Sequence, residues 1–239
     1  MNRPPLINRL ILPLLLLCTF FSASTAWSVT EQPADVANRL QQTYDQLQSL
    51  SFTFSQNSQG PFNTQDRLGR GRAVFLRNTE TDGKARMRWD YDKPDLQVLI
   101  SDGETLRMYF ARLQQQIITP ATALEQDLIY SFFSGRARLD ESFEIVAADR
   151  PAPPDTQNTS ETTAIRLLPK KEQSQISEIR LTISNDSLIT GIEITDHFDT
   201  RTILTLSNIQ PNSLKDLTTA DRERLFVFSP PPDTEIIHQ

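Results

Sequence analysis

The sequence predicts a mainly β chain (α+β). It should form a single curled antiparallel sheet of about ten to eleven short strands, an incomplete β-barrel lidded by about two to three helices. Three observations point to this class. In MRWDY (87–91), Met87, Trp89 and Tyr91 alternate with the charged Arg88 and Asp90, the pattern of a sheet with one dry and one wet face. Short apolar stretches recur along most of the chain, separated by turn residues. Two longer stretches carry apolar residues at helical spacing. One open sheet that long must curl, and helices laid across its concave side bury both apolar faces at once.

The chain starts with an address. Arg3 and Arg9 precede an apolar run from Leu10 to Phe21, and Ser24, Thr25 and Ala26 supply the small residues that a signal peptidase reads. The run is short for a membrane span and no charged stop follows it. Residues 1–26 are therefore expected to be a signal peptide that is removed, leaving one domain over 27–239 that begins near Trp27. Cys18 follows Leu17, where a lipidation signal would place a small residue, so the mature chain is expected to be unacylated and free of thiol or disulfide chemistry. Removing Arg3 and Arg9, and no acid, takes the formal net charge from −6 to −8. Such a chain is not steered toward nucleic acid or toward anionic membrane surfaces.

The elements follow in order. Over 33–50, Val36, Leu40, Tyr44, Leu47 and Leu50 fall at spacings of three and four, with Pro33 suited to a first helical turn. SFTFSQNS alternates Phe52 and Phe54 with polar residues, and an extended stretch follows over 67–77. LQVLI (96–100) and TLRMYF (105–110) flank Ser101, Asp102 and Gly103. A three-residue loop there pairs Ile100 with Glu104 and puts Leu96, Val98 and Ile100 on one side with Leu106 and Met108. A second helix is expected over 120–136, with Leu124, Leu128, Ile129, Phe132 and Phe133 on one side and Gly135 to end it. Strands follow at 142–147, 164–168, 176–183, 188–195 and 201–208. Asn185 and Asp186 read as a two-residue turn that pairs Ile183 with Leu188 and Ile179 with Ile192. The Pro, Ser and Thr-rich stretch within 149–163 reads as a surface loop. Three prolines after Phe228 stop the pairing, and a last edge strand is expected at 235–237.

Chemistry is sparse. The sequence has two histidines, His197 and His238. His197 lies between Asp196 and Asp199 in an acid-rich turn, which such residues favour for conformational reasons, so no metal site is expected. A hydrolase would need a triad that two histidines barely permit, and HExxH, GxSxG, P-loop and dinucleotide fingerprints are absent from the sequence. No enzyme activity and no cofactor are expected. Asn158-Thr159-Ser160 and Asn185-Asp186-Ser187 fit the glycosylation pattern by letter and read as turns. What stands out is large and apolar: Met87, Trp89, Tyr91, Met108, Phe132 and Phe133, with methionine suited to irregular space.

SFTFSQ behind the opening helix, GRGRAVF, MRWDYDKP, QVLISDGETLRMY, ITDHFDTRTILTLSNI and FVFSPPPDTEII occur in an order that resembles the outer-membrane lipoprotein carrier family, LolA. The resemblance implies a helix-lidded half-barrel in the periplasm whose cavity accepts the acyl chains of lipoproteins. It also implies loading by an ATP-driven inner-membrane complex, delivery to an outer-membrane acceptor, and action as a monomer. It implies that Met87 and Trp89 face the cavity and that the helix around Leu128 to Phe133 is part of the lid; with the residues read on the same faces, the expected wall is Met87, Trp89, Tyr91, Val98, Ile100, Leu106 and Met108, and the expected lid Leu40, Tyr44, Leu47, Leu124, Leu128, Phe132 and Phe133. The family usually carries an Arg-Pro pair shortly before the third strand, its arginine reaching the lid. Here FLRNTETDGKARMRW is longer and lacks the proline, so Arg77 takes that place, with Arg86 as the alternative. A periplasmic lipid-binding or envelope-sensor protein on the same scaffold is the competing reading.

Overall fold

The computed structural model describes residues 31–61, 67–77, 84–124, 127–151, 162–171 and 175–239. The expected signal peptide, with Cys18 and Trp27, and most of the 149–163 loop lie outside the described residues. The first element, α1 (Pro33–Asp45), precedes β1 (Ser49–Gln59), β2 (Arg67–Leu76), β3 (Arg86–Lys93), β4 (Gln97–Ser101), β5 (Thr105–Phe110) and β6 (Gln115–Pro120). Two short helices, α2 (Leu128–Phe133) and α3 (Leu139–Ser142), lead into β7 (Phe143–Ala147), β8 (Thr162–Pro169), β9 (Glu178–Ser184), β10 (Ile189–Thr195) and β11 (Arg201–Pro211). The chain closes with α4 (Thr219–Leu225) and β12 (Glu235–His238).

The 12 strands among the described residues belong to one sheet, in the order β12-β6-β5-β4-β3-β2-β1-β11-β10-β9-β8-β7. Neighbours run antiparallel except β12, which pairs with β6 in parallel. The two outer strands, β12 and β7, do not pair with each other, so the curled sheet stays open as expected. The strand missing from the sequence reading is β6, whose QQIITP lacks clean alternation.

Both predicted helices are shorter than their periodicity suggested. α1 ends at Asp45, and Leu50 instead starts the inward alternation Leu50, Phe52, Phe54 of β1. The first part of 120–136 is the end of β6 and a 3-10 turn, Ala121–Leu124, and only Leu128–Phe133 is α-helical. The Asp127 side chain caps α2 by accepting from the Tyr130 amide at 2.7 Å, and Gly135 ends this segment at a φ of +78°.

Two hairpins also differ from expectation. Asp102 accepts from the amides of Glu104 (3.0 Å) and Thr105 (2.7 Å), which closes a four-residue turn and pairs Ser101 with Leu106. Leu99 then shares a face with Leu106 and Met108, while Val98 and Ile100 turn outward beside Arg107 and Tyr109. Between β9 and β10 the turn includes Ser187 at a φ of +57°, so Ile183 pairs with Ile189. An irregularity at Thr190 then aligns Leu181 with Ile192 and Ile179 with Ile194. That extra residue lets Ile189 and Ile192, three apart, both face inward.

The sheet consequently carries a core on each side. The inner one joins α1, α2 and α3 to β1, β2, β3, β5 and β7 to β11. The outer one, Leu76, Val98, Ile100, Tyr109, Leu214 and Phe226, forms where the C-terminal segment crosses β2 to β5. Arg88 ties that segment down by donating to the Leu225 carbonyl at 3.0 Å, and its Nε also pairs with Asp90 at 2.8 Å. Because Ile100 belongs to this outer core, Ile100→Ala should cost about 2–5 kcal/mol in urea unfolding.

A candidate lipid-binding cavity

The inner face does not close completely. Between α2 and the sheet lies a cavity of about 240 Å³, walled by Phe75, Met87, Trp89, Leu99, Tyr130 and Leu204, with Gln56, Tyr91, Asp127 and Thr202 as its polar members. A smaller void of about 40 Å³ lies on the other flank of α2, and Ile129 touches both. Ligand pockets usually measure about 300–1,000 Å³, so the larger cavity lies below that range.

Aromatic rings set the shape of the wall. Trp89 stands 4.6 Å from Phe54 between ring centroids, and edge-on to Phe52 at 5.7 Å. Phe75 meets Phe133 of the lid at 5.1 Å, and Tyr44 of α1 meets Phe132 at 4.9 Å. These offset and tilted contacts suit aromatic quadrupoles. The Tyr44 hydroxyl accepts from the Ile189 amide at 3.1 Å, which pins α1 to β10, and burial pushes its pKa well above the ordinary phenol value. Tyr91 donates to Gln56 Oε1 at 2.8 Å, and burial raises its pKa as well.

Arg77 lies where β2 meets both covering helices. Its guanidinium donates to the Tyr44 carbonyl in the last turn of α1 and stands 3.5 Å from Asp45 Oδ1. A Cβ on Gly135 would collide with that guanidinium, so glycine is required there both for its left-handed φ and for the space it leaves. Burial lowers the Arg77 pKa and Asp45 pulls it back up. A cation at a helix C-terminus also meets the favourable end of the dipole. Arg86 opens β3 opposite Leu76.

Of the predicted wall, Met87, Trp89 and Tyr91 line the cavity, Leu106 is buried in the inner core, and Met108 packs against it. Val98 and Ile100 do not reach this side: the Asx turn at Asp102 shifts the register and sends them into the outer core. Leu99 stands in their place. Of the predicted lid, Leu40, Tyr44, Leu47, Phe132 and Phe133 are buried in the inner core, and Leu124 borders the cavity. Leu128 opens α2, but its side chain lies outside the described residues. The sequence reading missed Phe75, Gln56 and Asp127. Phe75 could have been found by extending the alternation of GRGRAVF, whereas Gln56 and Asp127 gave no signal. The acid-rich turn at His197 is conformational in part, since Asp196 Oδ1 accepts from the amides of Phe198 and Thr200, each at 2.8 Å.

The profile of the family described as "Outer membrane lipoprotein carrier protein LolA" matches residues 45–218. The chain belongs to the LolA family. It is 26% identical over 216 residues to an outer-membrane lipoprotein carrier protein of Coxiella burnetii, covering 88% of this chain and 90% of that one. A relative of the same name from Methylococcus capsulatus is 25% identical over 229 residues, covering 95% and 96%. Among solved structures, an uncharacterized conserved protein from Thermus thermophilus superposes with a TM-score of 0.50 at 11% identity. That match covers 86% of this chain and 98% of the other and shows the shared fold alone. No helix among the described residues is long and apolar enough to cross a membrane.

If Arg77 and Gly135 act as one contact, their substitutions should not add. Gly135→Ala should lose about 1–2 kcal/mol or more from the forced left-handed conformation, and Arg77→Leu should cost less in that background than in the native chain. Urea unfolding of the two single variants and the double variant measures this coupling.

Proposed function

We propose that this LolA-family chain is a periplasmic carrier that shields the acyl chains of lipoproteins between an inner-membrane ATP-driven complex and an outer-membrane acceptor. Residues 1–26 export it, and the mature chain acts as a soluble monomer. The observation that carries this reading is an aromatic cavity beneath α2, with the half-buried Arg77 bonded to the end of α1 beside Gly135. One chain of about sixteen carbons costs about 12 kcal/mol in water at ~0.8 kcal/mol per methylene, so a lipoprotein needs such a shield to cross an aqueous space. Met87, Trp89, Tyr91, Leu106 and Met108 provide the wall. Leu40, Tyr44, Leu47, Leu124, Leu128, Phe132 and Phe133 provide the lid.

Release is harder than capture. A site that gained the whole transfer energy would not let go, so the empty closed form must hold contacts that loading breaks. Arg77 supplies them: its bonds to the end of α1 and its place over Gly135 exist only while both helices sit on the sheet. Loading breaks a charge-assisted hydrogen bond worth about 1.5–3 kcal/mol, and delivery regains it. Ligand affinity is reduced by the fraction of molecules in the competent open form.

Arg77→Leu should therefore bind a lipoprotein or a fluorescent fatty acid on the order of tenfold more tightly. It should also transfer cargo to the acceptor more slowly, as a two-component transfer assay would record. Native-rate delivery by this variant, alongside retention of cargo by Arg86→Leu, would move the latch to Arg86. In a chain whose only tryptophan is Trp89, saturating lipoprotein should change the emission spectrum. Met87→Glu should weaken acyl binding more than folding, since a carboxylate on the wall meets water only while the cavity is empty. An unaltered Trp89 spectrum together with undiminished binding by Met87→Glu would rule out this cavity as the acyl site.

A further inference from the structure

A second concavity lies on the outer face, and it is larger than the cavity under the lid. It measures about 720 Å³, within the range of ligand pockets, and is lined in part by Ser55, Asn57, Leu68, Arg70, Lys93 and Ile203. No carboxylate lines it among the described residues.

Its charge comes from a break in register. Thr53, Arg72 and Asp90 lie side by side across β1, β2 and β3, and Arg72 pairs with Asp90 at 3.4 Å. Continued regularly, the next outward-facing row would set Arg70 opposite Asp92, a second ion pair. A bulge between Arg70 and Gly71 intervenes and sets Arg70 opposite Lys93. Gly71 permits it, because a Cβ there would run into the Asp90 carbonyl oxygen. Like charges directly opposite on neighbouring strands destabilise a sheet, and bulges often re-aim side chains beside functional sites. Among the described residues neither Arg70 nor Lys93 has an ion-pair partner, and Asp92 and Asp95 do not come within pairing distance of them. The local rule is broken at the wall of this concavity, where an anion from outside would repair it.

We propose that Arg70 and Lys93 form a binding site for a phosphate-ester anion on the outer face of the sheet. The guanidinium fork and the ammonium offer donors that match phosphate oxygens. The hydroxyls of Ser55 and Thr205 continue the same row, while Leu68 and Ile203 offer apolar surface to the esterified group. An extended acidic peptide fits less well, because β1 and β2 are each paired on both sides and cannot take another strand. The chain's net charge of −6 opposes long-range attraction, so capture depends on contacts within the groove.

The test uses the mature protein, its Arg70→Gln and Lys93→Gln variants and the double variant. The probes are glycerol 3-phosphate, followed by calorimetry, and vesicles of phosphatidylcholine with or without phosphatidylglycerol, followed by flotation at low salt. Either phosphate probe should bind, with each substitution weakening it on the order of tenfold. Binding of glycerol 3-phosphate assigns a soluble ester as the source, and binding only to phosphatidylglycerol vesicles assigns a lipid headgroup. Without ligand, Lys93→Gln should raise Tm by about 1–3 °C by removing the like-charge pair; a fall would show the lysine to be structural and count against the site. A fluorescent fatty acid should bind all variants equally, which keeps the inner cavity's reading separate. If neither phosphate probe binds in an Arg70- and Lys93-dependent way, or if only a glutamate-rich peptide does, the proposal is wrong.

Discussion

A sheet whose inner face carries Phe52, Phe54, Phe75, Met87 and Trp89 has to be covered, and the covering available is small. Three helices contribute to it, α1, α2 and α3, and α2 is six residues long. Isolated helices shorter than about 12–15 residues are marginal in water, so α2 owes its form to what it touches. Its stability comes from the rings beneath Phe132 and Phe133, from the Asp127 cap, and from Arg77 over Gly135. The cover and the face it covers are therefore one cooperative unit. Whatever displaces the rings also removes the support of the helix.

The same dependence explains what could be read from the sequence and what could not. Alternation in MRWDY puts Met87, Trp89 and Tyr91 on one face, and they share the inner face because β3 is regular from Met87 to Tyr91 and both of its faces have an unambiguous character. It failed one hairpin away. Val98 and Ile100 are as apolar as any cavity residue, but they face a second core built by residues more than a hundred positions later, Leu214 and Phe226. Periodicity cannot reveal a second apolar layer when both faces of a strand are dry, and there the turn decides the face. Asp102 was the available signal, since an aspartate at a turn's start binds the amides that follow it and lengthens the loop. Helix lengths were overestimated for a related reason: Leu47 and Leu50 keep helical spacing by coincidence, although Leu50 belongs to a strand. Arg77 was legible only through the family resemblance, and its carbonyl partner at Tyr44 lies 33 residues earlier in the chain.

The two faces of the central strands also differ in electrostatic character. The inner cavity is bordered by one charged residue among those described, Asp127, and by no cation. The outer concavity is bordered by Arg70 and Lys93 and, among the described residues, by no carboxylate. Strands β1 and β2 separate the two, and because side chains alternate, Phe54 and Ser55, or Gly71 and Arg70, report to opposite environments from adjacent positions. A ligand with a long alkyl chain and no charge suits the first face and an anion suits the second. One stretch of chain, GRGRAVF, thus contributes Phe75 to the cavity wall and Arg70 to the outer groove without either constraining the other.

Placement of the bulge at Asp92 links these properties to the fold. If β2 and β3 paired regularly to their ends, Arg70 would be neutralised and the strands would continue flat. With the extra residue, β3 bends and twists more strongly at the end of the sheet that lies beyond Tyr91. Tyr91 is the last inward residue before that bend, and its hydroxyl is fixed by Gln56 across β2. The bend therefore ends the apolar wall at a polar pair on the inside and exposes two cations on the outside. A single inserted residue, tolerated because Gly71 has no side chain, accounts for both.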